Sequence, residues 1–247
     1  KTLLEYDPHD IEVALYLANT YLDAGKASEA LSLIKQLLAS QQKGSPNEQK
    51  LKIAFATILY RSGNKSEAQN EFNSLVLLSP DDPNLLLARC RMLKDEKLLS
   101  QINEIVTKWY QNNPKDSHTP VAVARDLMAK EDNETRKTAE TILRTVIEKD
   151  SNSIEAINAL ALLLQITQNH TESVVFYKKL LELQPDNVIA MNNLSWLLCE
   201  EQGKYEEALE LADRGLRIAP NYTDLIDTVG YIYYKMGKYD KAVQKFT

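Results

Sequence analysis

Histidine, cysteine, glycine and phenylalanine are all scarce in this chain, and each scarcity excludes something. Three histidines and two cysteines in 247 residues leave little from which to assemble a metal site or a catalytic dyad. His9, His118 and His170 are scattered without metal-ligand spacing, and they read as surface-structural residues. Only seven glycines occur, and none forms a phosphate-cradling loop or a nucleophile elbow. No catalytic residue, metal or cofactor is therefore expected, and the chain reads as a non-enzyme. Four phenylalanines beside abundant Leu, Ala, Glu, Lys and Asn make a composition of helix formers with few strand formers.

Long apolar runs are also missing. Nothing approaches the roughly 20 consecutive apolar residues of a membrane-spanning helix, so no direct membrane insertion by this stretch is expected. The opening KTLLEYDP carries no signal peptide or lipidation box. A net charge of −6 argues against a generic binder of nucleic acid, whose affinity rests on clustered Lys and Arg. The hydrophobic content of 44% is nevertheless ample for a buried core.

What is present is a period. Pro80 and Pro114 lie 34 residues apart and Pro185 and Pro220 lie 35 apart, while Pro8 to Pro80 and Pro114 to Pro185 span 72 and 71, close to two periods each. Proline cannot continue a helix, so each marks a helix end, and the repeating unit is a helical hairpin. With the proline at position 32, position 8 is small in every unit: Ala18, Ala56, Cys90, Ala124, Ala161, Ser195 and Gly230. Position 20 reads Ala30, Ala68, Ile102, Ala139, Ser173, Ala208 and Ala242. Small residues at fixed positions let two helix axes approach, and larger ones such as Tyr21, Phe72, Tyr177 and Phe246 fill the grooves beside them. Gly25, Gly63, Gly203 and Gly237 fall at the turn inside each hairpin, where a left-handed residue ends the first helix. Gly215 and Gly230 fall at close crossings.

The small residues at 8 and 20, the turn glycine, the aromatic at 24 and the proline at 32 resemble the tetratricopeptide (TPR) repeat over essentially the whole chain. That resemblance implies an all-α, right-handed α-solenoid of about seven helix-turn-helix units, with residues 1–247 forming one superhelix. Units start near 11, 49, 83, 117, 154, 188 and 223, and residues 1–8 end a preceding unit. The third and fourth, 83–153, are degenerate: Lys97 stands at the turn and Arg89 in a core slot. Both ends of the chain fall inside a helix with no polar capping repeat, so a fragment of a longer array is expected. Cys90 and Cys199 lie several units apart, too far for a disulfide. The stretch from Asn192 to Tyr239 further resembles bacterial TPR proteins of exopolysaccharide and PEP-CTERM export systems, which points to a periplasmic, envelope or cytoplasmic setting without choosing among them.

The family resemblance also implies that positions 2, 5, 9, 12 and 13 of each first helix face a concave groove. In the last three units these give Asn158, Leu162, Gln165, Asn192, Trp196, Asp227 and Tyr231. Asn158, Asn192 and Asp227 would form a ladder suited to the backbone of an extended peptide, flanked by Trp196 and Tyr231. The alternative is that these are ordinary solvent-facing residues and that Trp196 packs. Arg91, Lys94 and Arg125 would make a basic patch for an acidic motif, or else are simply solvated. The carboxylate clamp of chaperone-binding TPR proteins is absent, because Asn19 is paired with Leu15 where that clamp needs Lys or Arg. The reading is a scaffold that holds a protein or peptide ligand in its groove. The alternatives are a substrate-recruiting arm of a larger enzyme such as a glycosyltransferase, and self-association.

Overall fold

The computed structural model describes residues 10–129 and 132–246, so Pro8 and His9 and the side chain of Phe246 lie outside the described residues. Among the described residues there are fourteen helices and no strand. The chain divides into two compact units, Lys1–Thr119 and Pro120–Thr247. In the first, α1 (Ile11–Asp23) packs with α2 (Ala27–Ser40), α3 (Pro46–Arg61) with α4 (Lys65–Leu78) and α5 (Pro83–Asp95) with α6 (Leu99–Asn112). In the second, α7 (His118–Met128) precedes α8 (Asn133–Lys149). The hairpins α9 (Ile154–Ile166) with α10 (His170–Leu183), α11 (Val188–Glu200) with α12 (Tyr205–Ile218), and α13 (Thr223–Lys235) with α14 (Tyr239–Phe246) follow.

Local chemistry sets the helix boundaries. Asp10, Asp82 and Asn187 accept hydrogen bonds from backbone N–H groups in the first turns of α1, α5 and α11, satisfying donors the helix itself cannot. Helix α3 begins at Pro46, three residues ahead of Gln49, because Ser45 caps it, Pro46 occupies the first helical position and Glu48 reaches back to the Gly44 N–H. Pro80, Pro114, Pro185 and Pro220 each fall two residues past the end of a second helix.

Among the described residues the hairpin turns close in closely similar ways. Lys26 N donates to Tyr21 O at 2.8 Å, and the same bond recurs from Asn64 to Leu59, Leu98 to Leu93, Asn169 to Leu164 and Lys238 to Tyr233. In the sixth hairpin, which carries one extra residue, the bond runs from Lys204 to Leu198 instead. A left-handed residue precedes the donor in every case, and in two hairpins it is not glycine: Lys97 has φ 58° and Gln168 φ 63°. A Cβ in that region costs about 1 kcal/mol. Lys97→Gly and Gln168→Gly are each expected to raise stability by about that amount in urea unfolding, and a loss of stability would show that these side chains contribute contacts outweighing the strain.

All fourteen residues at positions 8 and 20 are buried, from Ala18 and Ala30 to Gly230 and Ala242. At the fifth hairpin the crossing is also hydrogen-bonded, with Ser173 Oγ donating to Ala161 O at 2.8 Å. The first unit's N-terminal core gathers Ala14, Ile34, Leu37, Leu51 and Ile58, and the second unit's core gathers Ile157, Tyr177, Leu194, Leu225 and Ile232. Arg89, expected at a core position, is half-buried. Its Nε is buried without a hydrogen-bond partner among the described residues, and desolvation lowers the guanidinium's pKa.

Asp116 organises the segment after α6. It accepts from Trp109 Nε1 at 2.9 Å and from Thr119 N at 3.1 Å. Burial alone would raise its pKa, but the bonds from Thr119, Trp109 and the His118 backbone together hold the carboxyl below its ordinary value. A depressed pKa means stability that is present above the unfolded value near 3.8 and is lost as pH falls below it. Asp116→Asn is expected to cost about 1–2 kcal/mol at neutral pH. Chemical unfolding across pH 2–7 should show that deficit shrinking at the acid end, whereas a pH-independent deficit would refute the assignment.

Candidate functional site

In the first unit the first helices of successive hairpins, α1, α3 and α5, line two adjoining clefts of about 350 and 310 Å³. Asn19, Thr57 and Arg91 belong to both. The larger cleft has an apolar floor of Leu15, Ala18, Ile53 and Ala54 and is edged by Glu12, Lys50 and Asn84. The smaller is edged by Tyr60, Arg61, Lys94 and Asp95.

Ion pairs between equivalent positions of neighbouring repeats brace this face. Glu12 and Lys50, both at position 2, meet at 2.7 Å, and Asp23 and Arg61, both at position 13, also meet at 2.7 Å. The six residues Glu12, Asn19, Lys50, Thr57, Arg61 and Asn84 were not selected from the sequence. The signal was available, because acid in one unit and base in the next at the same repeat position predicts contact once the register is known. Tyr60 donates to Glu96 at 3.0 Å, with Lys65 on the same carboxylate at 2.6 Å. Burial and that carboxylate push the Tyr60 hydroxyl up to about 12, and the bond from Lys65 leads in lowering Glu96.

The second unit treats its first helices differently. Tyr177, fully buried, donates through its hydroxyl to Gln165 Oε1 at 3.0 Å and accepts from Asn193 Nδ2 at 2.9 Å. Asn192 Nδ2 lies 3.4 Å from Asn193 Oδ1, and Thr228 donates to Asn192 Oδ1 at 2.7 Å. Gln165 and Asn192 are thus joined in one chain of hydrogen bonds across α9, α10, α11 and α13. Burial raises the Tyr177 hydroxyl to about 12, so it stays a donor throughout the physiological range.

The other residues singled out from the sequence take several environments. Trp196 is half-buried against the core, with its ring edge-on to His170 at 6.3 Å. Tyr231 donates to Glu200, which also pairs with Lys235 at 2.9 Å, and these two bonds lower the Glu200 carboxyl. Leu162 is 42% exposed, Asp227 is exposed and Asn158 is half-buried. Neither Asn158 nor Asp227 makes a side-chain hydrogen bond among the described residues. Arg91 and Lys94 line the first unit's cleft, whereas Arg125 is an exposed residue of the second unit.

Cys90 and Cys199 are buried and not joined in a disulfide, and burial raises the Cys199 thiol. His170 pairs with Glu201 at 2.8 Å. Among the described residues no cluster of three or more His, Cys, Asp or Glu could hold a metal, and no helix is long and apolar enough to cross a membrane.

Sequence models of the tetratricopeptide repeat match residues 1–46 and 152–221. These matches support the tetratricopeptide repeat family. The solved structure of MamA gives a TM-score of 0.53 at 16% identity, covering 66% of this chain and 87% of that one. The fold is accordingly an all-α solenoid of TPR hairpins. Among curated relatives, anaphase-promoting complex subunit 7 of Dictyostelium discoideum is 21% identical over 262 residues, covering 93% of this chain and 44% of the relative. A TPR repeat-containing protein of Pseudomonas aeruginosa is 34% identical over 55 residues, covering 22% of this chain and 9% of the relative. The chain therefore spans less than half the length of either curated relative. TPR proteins generally act in protein–protein interaction, and TPR scaffolds are generally non-catalytic.

Proposed function

We propose that this chain is a non-catalytic interaction scaffold that holds a segment of a partner protein across the first helices of its N-terminal unit. The observation that carries this reading is the pair of adjoining clefts sharing Asn19, Thr57 and Arg91, with an apolar floor between charged edges. Such a surface offers burial for apolar side chains and polar groups for orientation. In the second unit Gln165 and Asn192 are already bonded to neighbouring side chains, so a ligand would have to displace internal partners to use them.

A second contact surface is supported by the exposed Leu162 and Ile166 on α9 and the exposed Asp227 on α13, with Asn158, Trp196 and Tyr231 half-buried. A role in a bacterial envelope or export assembly rests on the sequence of residues 192–239 alone. A recruiting arm of a larger enzyme is compatible with the short span against its relatives.

Thr57→Arg, which extends a long side chain into the shared strip, tests the placement. Affinity capture from the source cell is expected to lose the partner about tenfold, a change of about 1.4 kcal/mol, with unchanged helicity and unfolding midpoint. Equal recovery by wild type and variant would sink the N-terminal placement. Selective loss with Asn158→Ala, Leu162→Glu and Asp227→Ala combined would move recognition to the second unit.

A further inference from the structure

Asp224, Asp227, Tyr231 and Tyr234 recur along α13 at spacings of three and four residues, so they share one stripe of that helix. Asp224 and Asp227 are exposed, and neither forms an ion pair among the described residues. Asp224 accepts the Tyr222 hydroxyl at 3.1 Å, which leaves its charge in place. Tyr234 is 56% exposed, and Tyr239 at the start of α14 is 62% exposed. The Tyr234 ring stands 6.4 Å from that of Tyr231 and 5.8 Å from that of Tyr239, so the three rings make one continuous aromatic surface. A ring face is the negative pole of its quadrupole and attracts cations. This hairpin already uses that property, because Lys235 lies over the Tyr231 ring and Lys241 over the Tyr233 ring, each at 5.5 Å. Lys235 is itself neutralised by Glu200 at 2.9 Å. The stripe therefore carries two carboxylates in no ion pair, together with two exposed rings.

We propose that this surface seats an arginine-bearing, extended segment of a partner protein, with one guanidinium on the Tyr234 and Tyr239 rings and another directed at Asp227. Arginine suits both halves of the stripe better than lysine does. Its planar guanidinium stacks on a ring face and forms two parallel hydrogen bonds with a carboxylate. The rings also supply burial that charge alone would not, because exposed ion pairs contribute little. The surface belongs to the second unit and does not rest on recognition by the clefts of the first.

The test is fluorescence anisotropy of the whole chain with labelled Gly-Ser peptides of equal length that carry arginine, lysine or glutamine at every third position. The arginine peptide is expected to bind most tightly. Tyr234→Ala combined with Tyr239→Ala changes no charge and should weaken that binding about tenfold, whereas Tyr234→Phe with Tyr239→Phe keeps the rings and should retain it. Asp227→Asn should weaken it about threefold, and Glu206→Gln, which removes a carboxylate of α12, should leave it unchanged. The substituted side chains are exposed, so each variant's unfolding midpoint should stay at the wild-type value. Arginine-peptide binding that is indifferent to the loss of both rings would overturn the proposal, because generic attraction to an acidic chain needs no aromatic surface. Loss of binding in the phenylalanine pair, or equal binding of the lysine or glutamine peptide, would overturn it as well.

Discussion

Tyr177→Ala is expected to cost the second unit about 3–5 kcal/mol, the range for deleting a buried aromatic side chain. Tyr177 is among the largest fully buried side chains and belongs to the core cluster that also holds Ile157, Leu194 and Leu225. Its removal leaves a cavity that the flanking helices α9 and α11 would have to close. The loss is compounded because Gln165 Oε1 and Asn193 Nδ2 then lose their shared partner. Tyr177→Phe separates the two effects: it keeps the ring and should cost about 1–3 kcal/mol from the unpaired amides alone. Urea unfolding followed by circular dichroism measures both. If phenylalanine proves as stable as tyrosine, the hydrogen-bond chain contributes nothing net, and the ring alone matters.

Gly215→Val is expected to destabilise the packing of α12 on α13 and α11 by about 1–3 kcal/mol, the usual cost of forcing extra atoms into a filled core. A Cβ built at Gly215 would lie 2.5 Å from Leu225 Cδ2 and 3.4 Å from Met191 Sδ, and both neighbours are fully buried. Gly215→Ala is the informative comparison, because alanine gains about 1 kcal/mol in helix propensity over glycine. An alanine variant more stable than wild type would mean that Leu225 changes rotamer freely and that this crossing is not close-packed. An alanine variant that still loses stability, with valine losing more, would establish that the glycine is required by contact.

Much of the hairpin architecture could be read from residues. The spacing of Pro80, Pro114, Pro185 and Pro220 announced where second helices end, and the small residues at positions 8 and 20 announced where helices cross. These signals are local: a proline ends a helix wherever it stands, and a crossing needs little more than a missing side chain. Arg89 was legible as a misfit for the same reason, since a charged residue in an apolar register breaks the pattern. The site was less legible. The amides at Gln165 and Asn192 sat at groove positions, yet the sequence did not reveal that Tyr177 and Thr228 would occupy them. Thr57 and Asn84 were passed over because short polar residues carry no signal until something faces them. Trp196 satisfied either reading until its contact with His170 and the core fixed it as partly a packing residue.

The sequence by itself determined the period, the helical hairpins, their turns and the residues buried at each crossing, because those features depend on chain neighbours within about one repeat. Only the tertiary structure decided which polar side chains spend their hydrogen bonds on each other and which remain turned to a cleft. It also decided that Lys50 meets Glu12 and Arg61 meets Asp23 across neighbouring repeats of the N-terminal unit. The physical reason is that hydrogen bonds and charge pairs act over a few ångströms in space, and residues brought that close in a stack of hairpins are some 30 to 40 positions apart in the chain, as Lys50 and Glu12 or Thr228 and Asn192 are.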